Sequence, residues 1–355
     1  MVDEFALFKS RELANIVRYS EDKHDKSLGL QPSSLDNVID EFYRSAVEIN
    51  ENLTPKIESA FKKVCERLSL DRNVIQAFVN NSHEVQAACY YVDANRCLIR
   101  ISSSLINLLE NEELEFVIGH ELGHFLLQHA PSATSKETAE YFVFQRAKEI
   151  SADRIGILGC GKLKPAVTAL VKTASGLNSH HIQVSLKHYL AQLNQIIKPS
   201  NGENLFSTHP SMLIRTFAIN EFAKDIEKIE FKFFDSNSVY ESDKLIKSFL
   251  DEYVDKNIVE NIKQGTRNLE MWLAARIVSL AGRFNKNHQE KFKKKFGEED
   301  LQKLKNFFQS CDSSVLSEEI EKKIDLANQH LLCLSPSRSK NLINNSKKLI
   351  EKLFI

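Results

Sequence analysis

The 355-residue sequence predicts an α+β fold, mostly helical, with a small β-sheet beside two strongly patterned helices and a helical C-terminal domain. Three observations carry this. Short runs containing Val and Ile between Asn73 and Ser102 read as strands. Apolar residues at helical spacing (Leu114, Val117, Ile118, Leu122, Phe125, Leu126), and a second strong helix ending at Gly159 and Gly161, supply the helices. From residue 231 to 355 the chain is charged and helix-patterned, with no chemical motif and no internal repeat.

In chain order, residues 1–54 form an N-terminal helical segment in two pieces, around Phe5 to Arg18 and Ser34 to Asn50, split by polar Ser20 to Pro32. Phe5, Phe8, Leu13, Ile16 and Val17 lie at near-helical spacing and are expected to pack on the core rather than on a membrane surface. Thr54-Pro55 opens the central domain, residues 55–230, with threonine as cap and proline at the first helical position. Strands are expected at Asn73 to Val79, Val85 to Val92 and Cys97 to Ser102, the last two joined by Asp93-Ala94-Asn95. A hairpin symmetric about Asp93 sets Cys89 opposite Cys97. The next helix starts with Asn111 as cap and Glu112 and Glu113 in its first turn, and the one after it opens near Ser135. Helices around Pro165 to Ala174 and Ser185 to Lys198, then the loop Pro199 to Asn204, lead to Thr208-His209-Pro210-Ser211. Phe233 to Asn237 marks the boundary into the C-terminal helical domain, residues 231–355. Within it Lys291 to Phe296 reads as a solvated helix face with two core phenylalanines, since Glu298, Glu299 and Asp300 follow at once.

The chemistry concentrates at His120-Glu121-Leu122-Gly123-His124. Four helical residues advance about 400°, so His120 and His124 stand about 40° apart on one face, where both imidazoles reach one metal ion and Glu121 faces its bound water. A catalytic zinc takes three protein ligands and keeps a position open. One zinc-protease class has a longer pattern, with a glycine and then a third liganding histidine three and six residues after the second; here those positions hold Leu127 and Ala130, which excludes it. His129 falls on another face and reads as a helix-end or surface histidine. The better third ligand is Glu149 on the next helix, in Glu149-Ile150-Ser151-Ala152-Asp153, with Asp153 one turn on, able to accept the outer N–H of a liganding histidine.

These blocks resemble the gluzincin zinc metallopeptidases, the family of the CAAX prenyl endopeptidases and the HtpX-like proteases. Their order is the family's: His-Glu-x-x-His at 120–124, Glu-x-x-Ala-Asp at 149–153, and His-Pro at 209–210, with Asn111-Glu112-Glu113-Leu114-Glu115 leading into the metal helix. The resemblance covers roughly residues 55–225. It implies a zincin-type peptidase core and one Zn2+ held by His120, His124 and Glu149, with Glu121 as general base and then acid. It also implies His209 as a stabiliser of the developing oxyanion. Arg215 reads equally as a substrate or transition-state contact and as a structural ion pair. In such enzymes a strand before the metal helix offers its edge to an extended substrate, which points to Cys97, Leu98, Ile99, Arg100 and Ile101. The chain departs from the family at Asn80-Asn81-Ser82-His83, where a turn with proline and glycine is common.

Composition limits what else the chain does. A net charge of -1 gives no argument for nucleic acid, and no run approaches the roughly 20 apolar residues of a membrane span. Asp3 and Glu4 stand where a signal peptide carries positive charge, and six sparse cysteines do not make a disulfide scaffold, so a cytoplasmic location is expected. The expected function is a zinc-dependent metalloendopeptidase acting on polypeptide; a mixed reading adds that the N-terminal or C-terminal helices cover its cleft and keep it latent until a partner moves them. The C-terminal domain is the candidate site for such a regulatory protein. The rival reading is a non-catalytic zinc-containing chaperone or adaptor that binds a partner through its helices.

Overall fold

The computed structural model describes residues 4–24, 35–129, 138–195, 207–228, 237–253, 255–282 and 284–354. Most of the described elements are helices and four strands form one sheet, the α+β architecture expected from the pattern. Two compact units divide the chain. The first comprises Met1–Ser135, Val143–Lys198 and Ser207–Leu250, the second Lys136–Phe142, Pro199–Phe206 and Asp251–Ile355. The expected opening near Ser135, the loop at 199–204 and most of the boundary at 233–237 lie outside the described residues.

The first unit runs α1 (Glu4–Val17), a 3-10 turn (Ser20–His24), α2 (Leu35–Ser45), β1 (Val47–Glu48), α3 (Pro55–Arg67), β2 (Ile75–Asn80), β3 (Ala87–Asp93), β4 (Arg96–Ser102), α4 (Ser103–Leu108) and α5 (Asn111–Leu126). It continues with α6 (Ala139–Cys160), α7 (Leu163–Ser175), α8 (Leu186–Leu190), α9 (Met212–Lys228) and α10 (Tyr240–Tyr253). Strand order is β1-β2-β4-β3, with β2 and β4 parallel and the other pairs antiparallel. The expected edge strand therefore needs correction. Cys97, Leu98, Ile99, Arg100 and Ile101 belong to β4, which is hydrogen-bonded on both sides. The physical sign is its near-continuous apolar run: Cys97, Leu98, Ile99 and Ile101 are all buried, as in a strand covered on both faces. The edge belongs to β3, whose outer side pairs with no strand among the described residues.

An irregularity between Tyr91 and Asp93 also shifts the hairpin, so that Cys89 faces Ile99 and Cys97 faces Tyr91. The two cysteines are diagonal neighbours rather than opposite each other. On α1 the packed stripe is Leu7, Ser10, Ala14 and Val17, whereas Phe8 is 65% exposed. The helix is rotated from the expected face because Ser10 turns inward, its hydroxyl reaching the carbonyls of Leu68 (2.9 Å) and Ser69 (2.7 Å) at the end of α3.

Helices α5 and α6 cross unusually closely. A Cβ on Gly123 would stand 2.9 Å from the Cα of Ala152, and one on Gly119 would stand 3.0 Å from the Cα of Gly156. Glycine is thus required at the crossing, and Gly159, expected to end α6, packs against Gly119 and Val64 instead. The helix ends at Gly161, in the left-handed region with φ of 72°. Glu113, expected only as a first-turn acid of α5, receives the Glu110 N–H at 2.8 Å, which moves the cap one residue ahead of Asn111. Buried Lys172 on α7 pairs with the same carboxylate at 2.7 Å.

The second unit contains α11 (Lys256–Leu280), α12 (Lys286–Phe296), α13 (Glu298–Ser310), α14 (Leu316–Leu334) and α15 (Pro336–Phe354), with α11 packed chiefly on α14 and α15. Leu269, Leu273, Phe292, Phe296, Leu331 and Phe354 are part of its own core. Lys293 and Lys295 in the basic stretch pair with Glu298 (2.6 Å) and Glu270 (2.9 Å). No helix among the described residues is long and apolar enough to cross a membrane.

Candidate metal centre

Helix α5 presents His120, Glu121 and His124, and α6 brings Glu149 across the glycine crossing. Among the described residues, His120, His124 and Glu149 form a group whose ligand atoms converge closely enough to hold a metal ion. The two Nε2 atoms are 3.1 Å apart, and the Glu149 oxygens lie 3.6 Å from His120 Nε2 and 3.4 Å from His124 Nε2. Bonds of about 2.0–2.1 Å to one tetrahedral ion separate its ligand atoms by about 3.4 Å, so the donor set fits zinc in type and spacing.

Each ring is held from behind. His120 Nδ1 is 2.9 Å from Asp153 Oδ1, and the Asp153 carboxylate accepts two bonds from Arg215, from Nε at 2.8 Å and Nη2 at 2.6 Å. Burial opposes ionisation of Asp153, but the Arg215 guanidinium and His120 hold its carboxyl down at about 2. An ionised carboxylate only accepts, so the His120 proton sits on Nδ1 and its Nε2 lone pair faces the metal position. Arg215 is buried, and its Nη1 lies 3.4 Å from Glu149 Oε2. Its guanidinium thus engages both Asp153 and the candidate ligand Glu149, and it also lines the cavity beside them.

His124 is held differently. Its Nδ1 lies 3.0 Å from Nδ1 of His129, whose Nε2 lies 2.6 Å from Asp22 Oδ2. His129 does sit just past the end of α5, but the surface reading is corrected here: its side chain is 2% exposed. Helical extrapolation failed because α5 ends first. Gln128 takes the left-handed conformation, φ 57°, and the chain doubles back, with His129 N–H donating to the His124 carbonyl (2.9 Å) and Gln128 N–H to that of Phe125 (3.1 Å). Glycine is the usual residue at such a position, and its absence hid the turn. Tyr91 on β3, also unforeseen, donates its hydroxyl to these carbonyls, 2.6 Å from His124 and 3.0 Å from Phe125.

Beside these groups lies a cavity of about 410 Å³ lined by Val85 to Cys89, Glu121, His209 and Arg215 among others. Burial pushes the Glu121 carboxyl up to about 7, with Glu149 adding to the rise. His209 precedes α9, is 62% exposed on its side chain and places Nε2 3.4 Å from Glu149 Oε1. Burial, with His120 and His129 nearby, holds the His124 imidazole well below its usual range, so it is neutral near pH 7.

Residues 51–144 and 138–223 match the profile of peptidase family M48. The chain carries a peptidase family M48 domain. The resemblance read from the three sequence blocks is thereby borne out at the level of the family, and the metal-ligand group lies within the matched residues. The chain is similar to a plastoglobule-localized metallopeptidase 48, chloroplastic, of Arabidopsis thaliana, 23% identical over 212 residues that cover 52% of this chain and 61% of that protein. It thus spans less than two thirds of that relative's length. No solved structure matches the chain. The M48 match ends at residue 223, so the helices described from Lys256 onward lie outside it.

Proposed function

We propose that this chain is a zinc-dependent metalloendopeptidase that hydrolyses peptide bonds in polypeptide substrates. The observation that carries the reading is the tetrahedral spacing of the His120, His124 and Glu149 donors beside the buried Glu121 carboxyl in one cavity. A single zinc ion held there supplies Lewis acidity, which acidifies water and polarises a carbonyl. Glu121 takes the proton of the attacking water and returns it to the leaving amine, a role suited to a carboxyl whose pKa lies near neutrality. His209 donates to the oxygen that gains negative charge. Asp153 and Arg215 orient His120 and Glu149. The unpaired edge of β3, which lines the cavity, is where an extended polypeptide adds as a further strand. A reducing, cytoplasmic setting is proposed because all six cysteines are free thiols.

The test is cleavage of an unfolded protein by zinc-loaded wild type beside Glu121→Gln, with metal content measured in both. The expected result is equal zinc and a loss of turnover of about 100-fold or more in the variant. Equal turnover would reject the assignment of Glu121, and a zinc-loaded wild type with no activity on any unfolded protein would favour the chaperone or adaptor reading.

A further inference from the structure

We propose that Asp22, acting through His129, is a positioning residue for the metal ligand His124, so that the N-terminal segment is a built part of the metal centre. The inference rests on the metal-site reading above. A carboxylate accepts and does not donate, so the proton in the 2.6 Å contact between Asp22 Oδ2 and His129 Nε2 belongs to the histidine. His129 Nδ1 is then the acceptor in its 3.0 Å contact with His124 Nδ1, and His124 must supply that proton. The result is a His124 ring whose Nε2 carries a lone pair aimed at the metal position, the arrangement Asp153 imposes on His120 without an intermediary. Both outer side chains are almost wholly enclosed, His129 at 2% and Asp22 at 1% exposure, so water does not substitute for the contact.

The delivery of Asp22 is not incidental. Tyr19 N–H donates to Ser151 Oγ at 3.0 Å and Arg154 donates to the Val17 carbonyl at 3.2 Å, so α6, the helix of Glu149, holds the chain just before Asp22. Arg18 donates to the Leu127 carbonyl at 2.8 Å, at the end of the helix that bears His120 and His124. Asp243 on α10 accepts from Ser20 N–H at 3.1 Å and from Arg154 at 2.6 Å. Both ligand-bearing helices therefore fix the segment, and the segment in turn fixes the second ligand.

The experiment is a cobalt(II) titration of the full chain, followed by its visible absorption, for wild type, Asp22→Ala, Asp22→Asn, His129→Ala and the double variant Asp22→Ala/His129→Ala, with unfolding midpoints of the metal-free proteins. Asp22→Ala and His129→Ala are expected to weaken cobalt binding by about 10–100-fold, and the double variant by no more than His129→Ala, because one route carries both effects. Asp22→Asn, which keeps an acceptor oxygen, is expected to lose less than Asp22→Ala. Wild-type affinity in Asp22→Ala, or losses that add in the double variant, would overturn the proposal, whatever happens to the unfolding midpoint. Should Asp22→Ala not fold, the same cycle with Asp22→Leu, which fills the site and offers no acceptor, decides by the same criterion. Absence of cobalt binding in wild type would overturn the metal-centre reading itself, and this inference with it.

Discussion

At the scale of single residues, the proposed base costs the protein stability. A carboxyl raised from its ordinary value of about 4.5 to about 7 in the fold carries no penalty while it stays protonated, below about pH 4.5, and incurs its full penalty once ionised above pH 7. At about 1.4 kcal/mol per pH unit the penalty is about 3 kcal/mol. Metal-free Glu121→Gln is therefore expected to be as stable as metal-free wild type near pH 4.5 and more stable above pH 7. Denaturant titrations across that range in the presence of a chelator check this, and parallel curves would contradict it. His209 makes a separate prediction. It sits at the cavity but outside the ligand group, so His209→Ala is expected to lower turnover by about 100–1,000-fold while metal content stays at the wild-type level. Loss of metal along with activity would show that it holds the ion instead.

At the scale of elements, the site depends on two helices meeting without side chains between them. Gly123→Ala places a methyl 2.9 Å from the Cα of Ala152, and backbone cannot yield there as a flexible side chain can. The helices must part, which costs about 1–3 kcal/mol and moves Glu149 away from both histidines. Reduced thermal stability together with weaker metal binding is the expected result, measured by calorimetry and metal titration. The end of α5 predicts a change of opposite sign. Gln128 has φ of 57°, a conformation that costs a side-chain-bearing residue about 1–2 kcal/mol, part of which glycine relieves. Gln128→Gly is expected to raise the unfolding temperature, and a fall would mean that the Gln128 side chain or the stiffer unfolded chain outweighs the strain.

At the scale of the whole molecule, the first unit extends beyond the M48 match. Helix α10 contributes Asp243, bonded to fully buried Arg154, and Lys247, which pairs with Glu21 at 2.7 Å. Removing one partner of a buried ion pair costs about 3–5 kcal/mol. A chain ending after residue 253 is thus expected to fold and bind metal, whereas one ending near 230, the boundary suggested by the motifs, is expected to lose both. Circular dichroism and metal titration of the two truncations distinguish these outcomes, and equal behaviour would show that α10 is dispensable.

How far the sequence reached follows from the range of each interaction. The pairing of His120 with His124, the placing of Glu121 between them and of Asp153 one turn beyond Glu149 are local, because helical periodicity makes neighbours of residues three or four apart. Order and spacing of three short blocks sufficed for the family. The edge of the sheet was beyond reach, since β3 and β4 both look like strands and only long-range pairing decides which of them ends the sheet. His129 and Asp22 were also hidden, one by a left-handed glutamine where a glycine would have signalled the turn, the other by a separation of 107 residues from its partner. The sequence alone thus determined the α+β class and the family and nominated the donor set, through contacts within a helix and motifs that recur in order. Only the tertiary structure decided how α5 and α6 bring the donors to tetrahedral spacing, which strand borders the cavity, and which distant residue stands behind His124, because each is set by the packing of elements far apart in the chain.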